Sequence, residues 1–247
     1  MIKENKNRRV VVTGLGVISS LGIGWQEFWK NIMAGKSGIS RITAFDTSQY
    51  DRHYAGEVKN FDPTQFMSPR RARRIGRASQ MAIVASKLAV KDAKINEKDL
   101  SKAKTAVCIG TTGGELHLLE MFNEIRFKEK SVLSKELISI FPADSLSSHI
   151  CREFKLSGYA TVFGNACAAG NYAIGEVFDL IKLGRVDWGL AGGVDAFSRM
   201  FFTGFGRLFA MAPEKCQPFD KNRKGMMVGE GAGTVFLETL ENAKKRK

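Results

Sequence analysis

Short apolar runs ending in glycine alternate along this chain with stretches of helical period. "RRVVVTGLG" (8–16) reads as a strand closing on a glycine turn. In "GWQEFWKNIMAG" (24–35), Trp25, Phe28, Trp29 and Ile32 recur at the spacing of one helical face, and Gly35 supplies a stop. Residues 36–67 hold turns and a short strand at 54–58. A long helix is expected over 70–93, with Ile75, Met81, Val84 and Leu88 on its buried side and alanines that let a neighbour come close. "TAVCIGTTGG" (105–114) is the next strand and glycine turn. Helices follow at 116–126 and 142–153, then a strand at 159–163, a helix after Cys167 and a strand in "DWGLAGGVDA" (187–196). A last strand at 233–240 runs into a basic helical tail. This alternation predicts a layered α/β domain with a mixed or mostly parallel sheet. With no linker, repeat or low-complexity tract, residues 1–247 read as one domain.

Composition narrows the classes. The chain is 44% hydrophobic with 25 Gly and only 5 Pro, as in a globular protein. No stretch approaches the roughly 18 apolar residues of a membrane span. The start "MIKENKNRRVVVTG" is basic, but its apolar run is short and lacks a small-residue cleavage site, so a cytoplasmic location is expected and a membrane partner is not. Four cysteines without a CxxC pair or nearby histidines point to free thiols, at least three of them structural, and to no metal site. Some of the net charge of +13 is local, in "PRRARRIGR" (69–77) and in "ENAKKRK" at the end. Such surfaces attract polyanions. A nucleic-acid-binding protein is the generic alternative, but zinc-finger spacing and the RNP aromatic pattern are missing. An acidic protein partner fits the same charge.

Two glycine motifs and three histidines carry little. "TGLGVIS" (13–19) fails the dinucleotide fingerprint at Ser19 and reads as a tight turn. "GTTGG" (110–114) lacks the Gly-Lys-Ser/Thr of a P-loop. His53, His117 and His149 are isolated and read as structural or surface residues. Cys167 is different. It stands between a strand and a helix, and a helix N-terminus favours the thiolate through its unpaired amides and dipole. Ala166, Ala168, Ala169 and Gly170 leave room for a substrate, and the same amides suit the oxyanion of a tetrahedral intermediate. From these residues alone, a nucleophile and a packed core thiol both remain open.

Here the chain resembles a family. "FGNACAAGNYAIG", "DWGLAGGVDA" and "CQPFDKNRKGMMVGEGAGTVFLETLENAKKR" are similar to the segments around and beyond the active-site cysteine of elongating beta-ketoacyl-[acyl-carrier-protein] synthases. "RRVVVTGLGVISSLGIGWQEFWKNIMAGKSGISRITAFDTSQYDRHYAGEVKNFDP" resembles their N-terminus. The resemblance implies the N-terminal half of a thiolase-like α/β fold, a mixed sheet of five-stranded type with helices on both faces. It implies that Cys167 matches the acyl-accepting cysteine, and that Leu118 and Phe205 lie along the acyl pocket and limit chain length. Residues 161–165 match the strand through which the family dimerises. No cofactor is implied, because acyl and malonyl groups arrive on the phosphopantetheine of an acidic acyl-carrier protein.

The family's reaction also uses two histidines and a lysine from its C-terminal half, which stabilise the enolate formed when malonyl loses carbon dioxide. No histidine follows Cys167 in this sequence. Three readings follow: a fragment of an ordinary synthase, one product of a split enzyme completed by a C-terminal ketosynthase subunit, or a non-catalytic relative used for binding or assembly. Retention of Cys167 argues against the inactive chain-length-factor type of subunit. Asn165, Gly76, Ala78, Ser79 and Lys224 depart from the family's usual residues; the first four bear on the substrate and the pocket entrance that the resemblance implies, and Lys224 adds local positive charge.

Overall fold

The computed structural model describes residues 8–128 and 142–246. In chain order its elements are β1 (Val10–Ser19), β2 (Gly22–Ile23), α1 (Trp25–Met33), β3 (Ser40–Arg41), β4 (Tyr54–Ala55), α2 (Pro69–Ala72), α3 (Arg77–Asp92) and α4 (Glu97–Lys102). Then follow β5 (Thr105–Gly110), α5 (Leu116–Lys128), α6 (Ser145–Phe154), β6 (Ala160–Phe163), α7 (Ala169–Lys182), β7 (Trp188–Asp195), α8 (Arg199–Arg207), β8 (Gly231–Thr239) and α9 (Leu240–Lys245). The strand order is β2-β1-β8-β7-β5-β6. β5 runs parallel to β6 and β7, whereas β8 is antiparallel to both β1 and β7, so the sheet is mixed. The expected five strands are joined by β2, a two-residue addition at the edge.

With an irregularity in its pairing to β8 between Val12 and Gly14, β1 continues through the glycines read above as a turn. Packing is the reason. A Cβ on Gly16 would lie 1.8 Å from the carbonyl oxygen of Ala85, and one on Gly14 would lie 2.1 Å from that of Ala89. The alanines of α3 and the glycines of β1 are two halves of one close approach, in which the helix backbone rests directly on the strand.

The single helix expected over 70–93 is two. Ser68 caps α2, accepting from the Arg71 N–H at 3.3 Å, and Pro69 follows at its first position. The chain then breaks at 73–76 and restarts as α3 at Gly76, which has no side chain to cap it. The Glu115 carboxylate does so from the turn before α5, accepting from Ala78 N at 3.2 Å and Ser79 N at 2.7 Å. A Cβ on residue 76 would sit 2.1 Å from a Glu115 oxygen, so the small residues at 76, 78 and 79 make room for this buried carboxylate.

Strand alternation distributes the core. Val107 and Ile109 of β5 face the larger cluster with α3 and α6, including Met81, Val84 and Ile150. Ala106 and Cys108 face the other way, onto Ala173, Val177 and Ile181 of α7. Helices therefore cover both faces of the sheet. Part of the basic tail is structural: Arg246 donates to both oxygens of the buried Glu238 at 2.8 and 2.6 Å. Residues 1–7 of the basic start and Lys247 lie outside the described residues. Among the described residues, no helix is long and apolar enough to cross a membrane.

Candidate active site

Between β6 and α7 the chain reverses within five residues. Ala166 takes a left-handed φ of 52°, which costs a non-glycine residue about 1 kcal/mol or more. Cys167 occupies the 3-10 turn Ala166–Ala168 that leads into α7, and it is exposed. Strain beside a displayed thiol is unexpected for a packing residue. Beneath it, β5 ends at Gly110, where a Cβ would lie 2.1 Å from the carbonyl carbon of Ala169 and 2.3 Å from Gly170 N. Only glycine lets the strand end touch the helix start, and this contact sets the depth of the site. A cavity of about 310 Å³ opens there, with Gly110, Gly170, Gly193 and Gly231 among its walls and Cys167 at its margin. Its lining includes no histidine.

Two carboxylates that sequence reasoning missed organise the cavity's other walls. Asp195, at the end of β7, accepts from Thr111 Oγ1 at 2.8 Å, Thr112 N at 2.9 Å and Gly113 N at 2.8 Å, pinning the loop after β5. Glu230 is buried and accepts from Arg77 at 2.8 and 2.7 Å, Val58 N at 2.9 Å and Phe197 N at 2.9 Å. Burial alone would raise its pKa, but the Arg77 guanidinium and the two backbone donors outweigh that and hold it below the usual carboxylate range. Glu230 also borders a second cavity of about 470 Å³, whose charged lining, including Glu57, Lys59, Glu120 and Arg199, is unsuited to an acyl tail. The available signal was one of type: charged residues embedded in "GGVDA" and "GEGAG", where small residues otherwise rule.

Leu118 is buried on α5 and Phe205 is half-buried on α8, against a cluster that includes Phe197, Phe202 and Met211. The two helices pack on each other, but neither side chain borders the cavity at Cys167. Asn165 is exposed and makes no cap to the turn that follows it. The histidines lie elsewhere. His53 Nδ1 bonds Thr47, His117 lies beside Glu115, and His149 contacts Arg71 at 3.2 Å. Burial, with Arg71 and Arg152 nearby, pushes His149 down to about 4.

Two expectations need correction. Cys108 is buried and Cys151 partly so, but Cys216 is exposed, so only two of the three remaining cysteines serve the core. Within the basic run, Arg70, Arg73 and Arg74 are exposed, whereas Arg71 is turned inward against His149 and Glu153. Arg71 ties α2 to α6 and is not free to meet a partner.

The family model described as "Beta-ketoacyl synthase, N-terminal domain" matches residues 7–243. The chain belongs to the beta-ketoacyl synthase family. It is 36% identical to a 3-oxoacyl-[acyl-carrier-protein] synthase 2 of Synechocystis sp. and 33% identical to one of Staphylococcus aureus, in each case over 98% of this chain and 60% of the relative. Among solved structures it is similar to the ishigamide ketosynthase/chain length factor, at 40% identity and a TM-score of 0.92, over 97% of this chain and 60% of that one. A beta-ketoacyl synthase from Burkholderia phymatum matches at 28% identity and a TM-score of 0.86, over 97% of this chain and 61% of that one. A type II PKS ketosynthase solved with its acyl-carrier protein matches at 29% identity and a TM-score of 0.82, over 97% and 60%. The fold is thiolase-like, and the chain spans about three fifths of the length of these family members.

Proposed function

We propose that this chain is the cysteine-bearing N-terminal part of a beta-ketoacyl-[acyl-carrier-protein] synthase. The observation that carries the reading is Cys167, exposed on a strained turn at the start of α7 and at the margin of a glycine-walled cavity. Its Sγ attacks the carbonyl carbon of an acyl thioester held on a carrier protein's phosphopantetheine. The new S–C bond replaces the old one, and the phosphopantetheine sulfur leaves with the proton that Cys167 gave up. The backbone N–H groups at the start of α7 suit the oxyanion formed on the way. In the second half-reaction a malonyl thioester loses carbon dioxide, its enolate carbon attacks the acyl-cysteine carbonyl, and the Cys167 thiolate is released. That enolate needs hydrogen-bond donors, and in this reading two histidines on a further ketosynthase segment supply them.

The test uses the purified chain with acyl- and malonyl-carrier protein, with and without a polypeptide spanning the remaining two fifths of a relative. Slow acylation of Cys167 by intact mass, and a beta-ketoacyl product only in the supplemented reaction, are expected. Condensation by the chain alone would place the enolate-stabilising groups on these residues and overturn that half of the reading. No acylation under either condition would overturn the whole.

The carrier protein meets the exposed face of Arg70, Arg73 and Arg74, where opposite charge speeds encounter. Reversing these three charges weakens carrier-protein binding at low salt by about tenfold or more, with the difference shrinking as salt is added. Arg71 is left unchanged in that experiment because it holds α2 to α6. Equal affinity in a folded variant would leave the face as solvated surface. Tight binding of duplex DNA instead would favour a nucleic-acid partner. β6 ends the sheet, and pairing of its open edge with a second copy across 161–165 is the proposed dimer contact.

A further inference from the structure

The cavity at Cys167 has a sign. Its lining includes two carboxylates, Asp195 and Glu230, and no lysine, arginine or histidine. The two are not equivalent. Glu230 is neutralised from behind by Arg77, which borders the second cavity and not this one. Asp195 takes part in no ion pair among the described residues, and its donors there are a hydroxyl and two backbone N–H groups. Three bonds converge on Oδ1, from Thr111 Oγ1 at 2.8 Å, Thr112 N at 2.9 Å and Gly113 N at 2.8 Å. Oδ2 shares the Thr112 N–H at 3.1 Å. Neutral donors fix the carboxylate in place without cancelling its net charge.

Any group that enters the cavity on its way to Cys167 meets that charge. The start of α7 offers only about half a unit of opposite charge, against a full unit on Asp195. An acyl group ending in a carboxylate brings a second negative charge to a wall with no side-chain cation, whereas an uncharged one does not. We infer that Asp195 is a specificity-determining residue, through which Cys167 selects uncharged acyl groups and rejects those carrying a carboxylate. This rests on the reading above, in which Cys167 accepts the acyl group. It gives the two half-reactions their order. A malonyl thioester is kept from Cys167 as a first substrate and serves only once an uncharged acyl group fills the cavity.

Iodoacetamide and iodoacetate are close in size and differ by one negative charge. The purified chain is labelled with each, and the rates at Cys167 and at the exposed Cys216 are read by peptide mapping. The ratio of the two rates cancels the ionised fraction of each thiol. Asp195→Asn can keep its amide oxygen where the three donors converge and removes the charge. At low salt it is expected to lower the iodoacetamide-to-iodoacetate ratio at Cys167 about fivefold, with no change at Cys216. Added salt lowers the ratio at Cys167 in the natural protein, which tests the same repulsion should the variant not fold. Thr111→Val removes one bond to Asp195 and keeps its charge. It alters both rates together if the loop loosens, and the ratio stays. A ratio that neither Asp195→Asn nor salt moves overturns the inference, as does an equal change in Thr111→Val. With malonyl- and acetyl-carrier protein, Asp195→Asn is expected to raise the malonylated share of Cys167 by intact mass. If the reagent pair behaves as expected but no carrier protein acylates Cys167, the proposed function fails and the charge selection stands. If acylation proceeds and the ratio does not move, the reverse holds.

Discussion

Alanine at Cys167 abolishes the acyl adduct and lowers any condensation by at least about a thousandfold, the scale expected when a covalent nucleophile is lost. The intact thiol should also stand apart from the other three in limited labelling with iodoacetamide. Burial pushes the Cys108 thiol up to about 12 and the Cys151 thiol up to about 11. Only the thiolate reacts, so near pH 8 these two offer about one part in ten thousand and one part in a thousand of reactive form. Cys216 is the informative comparator, because it is exposed like Cys167 but stands at no helix start. Peptide mapping is expected to show Cys167 modified first, Cys216 later, and Cys108 and Cys151 only after unfolding. Equal rates at Cys167 and Cys216 would remove the case for local activation. No labelling at Cys167 would leave it a packing residue.

Replacing Arg77 with methionine is expected to cost about 3–5 kcal/mol, because it strands the buried Glu230 carboxylate with only two backbone donors. The pH dependence separates this from simple loss of packing. In the natural protein the Glu230 carboxyl is held low, so its contribution is fully present above the ordinary carboxylate range of about 4 and is lost as pH falls through the lower folded value. Without Arg77, burial dominates and the folded value rises. Protonation of Glu230 then relieves the variant as pH falls, while the natural protein loses the contribution of its charge pair, so the difference between the two proteins narrows. Urea midpoints measured between roughly pH 3 and 7 test this. A deficit of constant size across that range would show that the Arg77 stem, not the charge pair, was responsible. Arg77→Met combined with Glu230→Met is expected to recover much of the loss, since an apolar pair in place of a buried ion pair is often close to neutral.

Much of this was legible along the chain. The short apolar runs closed by glycines at 105–114 and 187–196 and the helical spacing of 24–35 depend on neighbours a few residues apart, and all three elements form where expected. Cys167 was legible for the same reason, since a strand, a small-residue turn and a helix follow one another there. The errors arise where a distant partner overrides a local signal. Gly14 and Gly16 mark a turn by their own preference, but in the fold they are the space that Ala85 and Ala89 require. Gly76 looks like a weak point in a long helix. It is instead the opening for Glu115, which follows it by 39 positions in sequence.

By itself the sequence determined most of the alternation of strands and helices, the resemblance to the family and the placing of Cys167 between a strand and a helix, because apolar period, turn chemistry and motif spacing are local properties. Only the tertiary structure decided how the buried and half-buried acidic residues are used. Asp195, Glu115, Glu120 and Glu230 are unremarkable acidic residues until the fold brings helix starts, loop amides and Arg77 to them. The same packing turned Arg71 inward and left its neighbours exposed. A carboxylate can be buried only where donors from other elements converge on it, and that convergence exists only once the chain has folded.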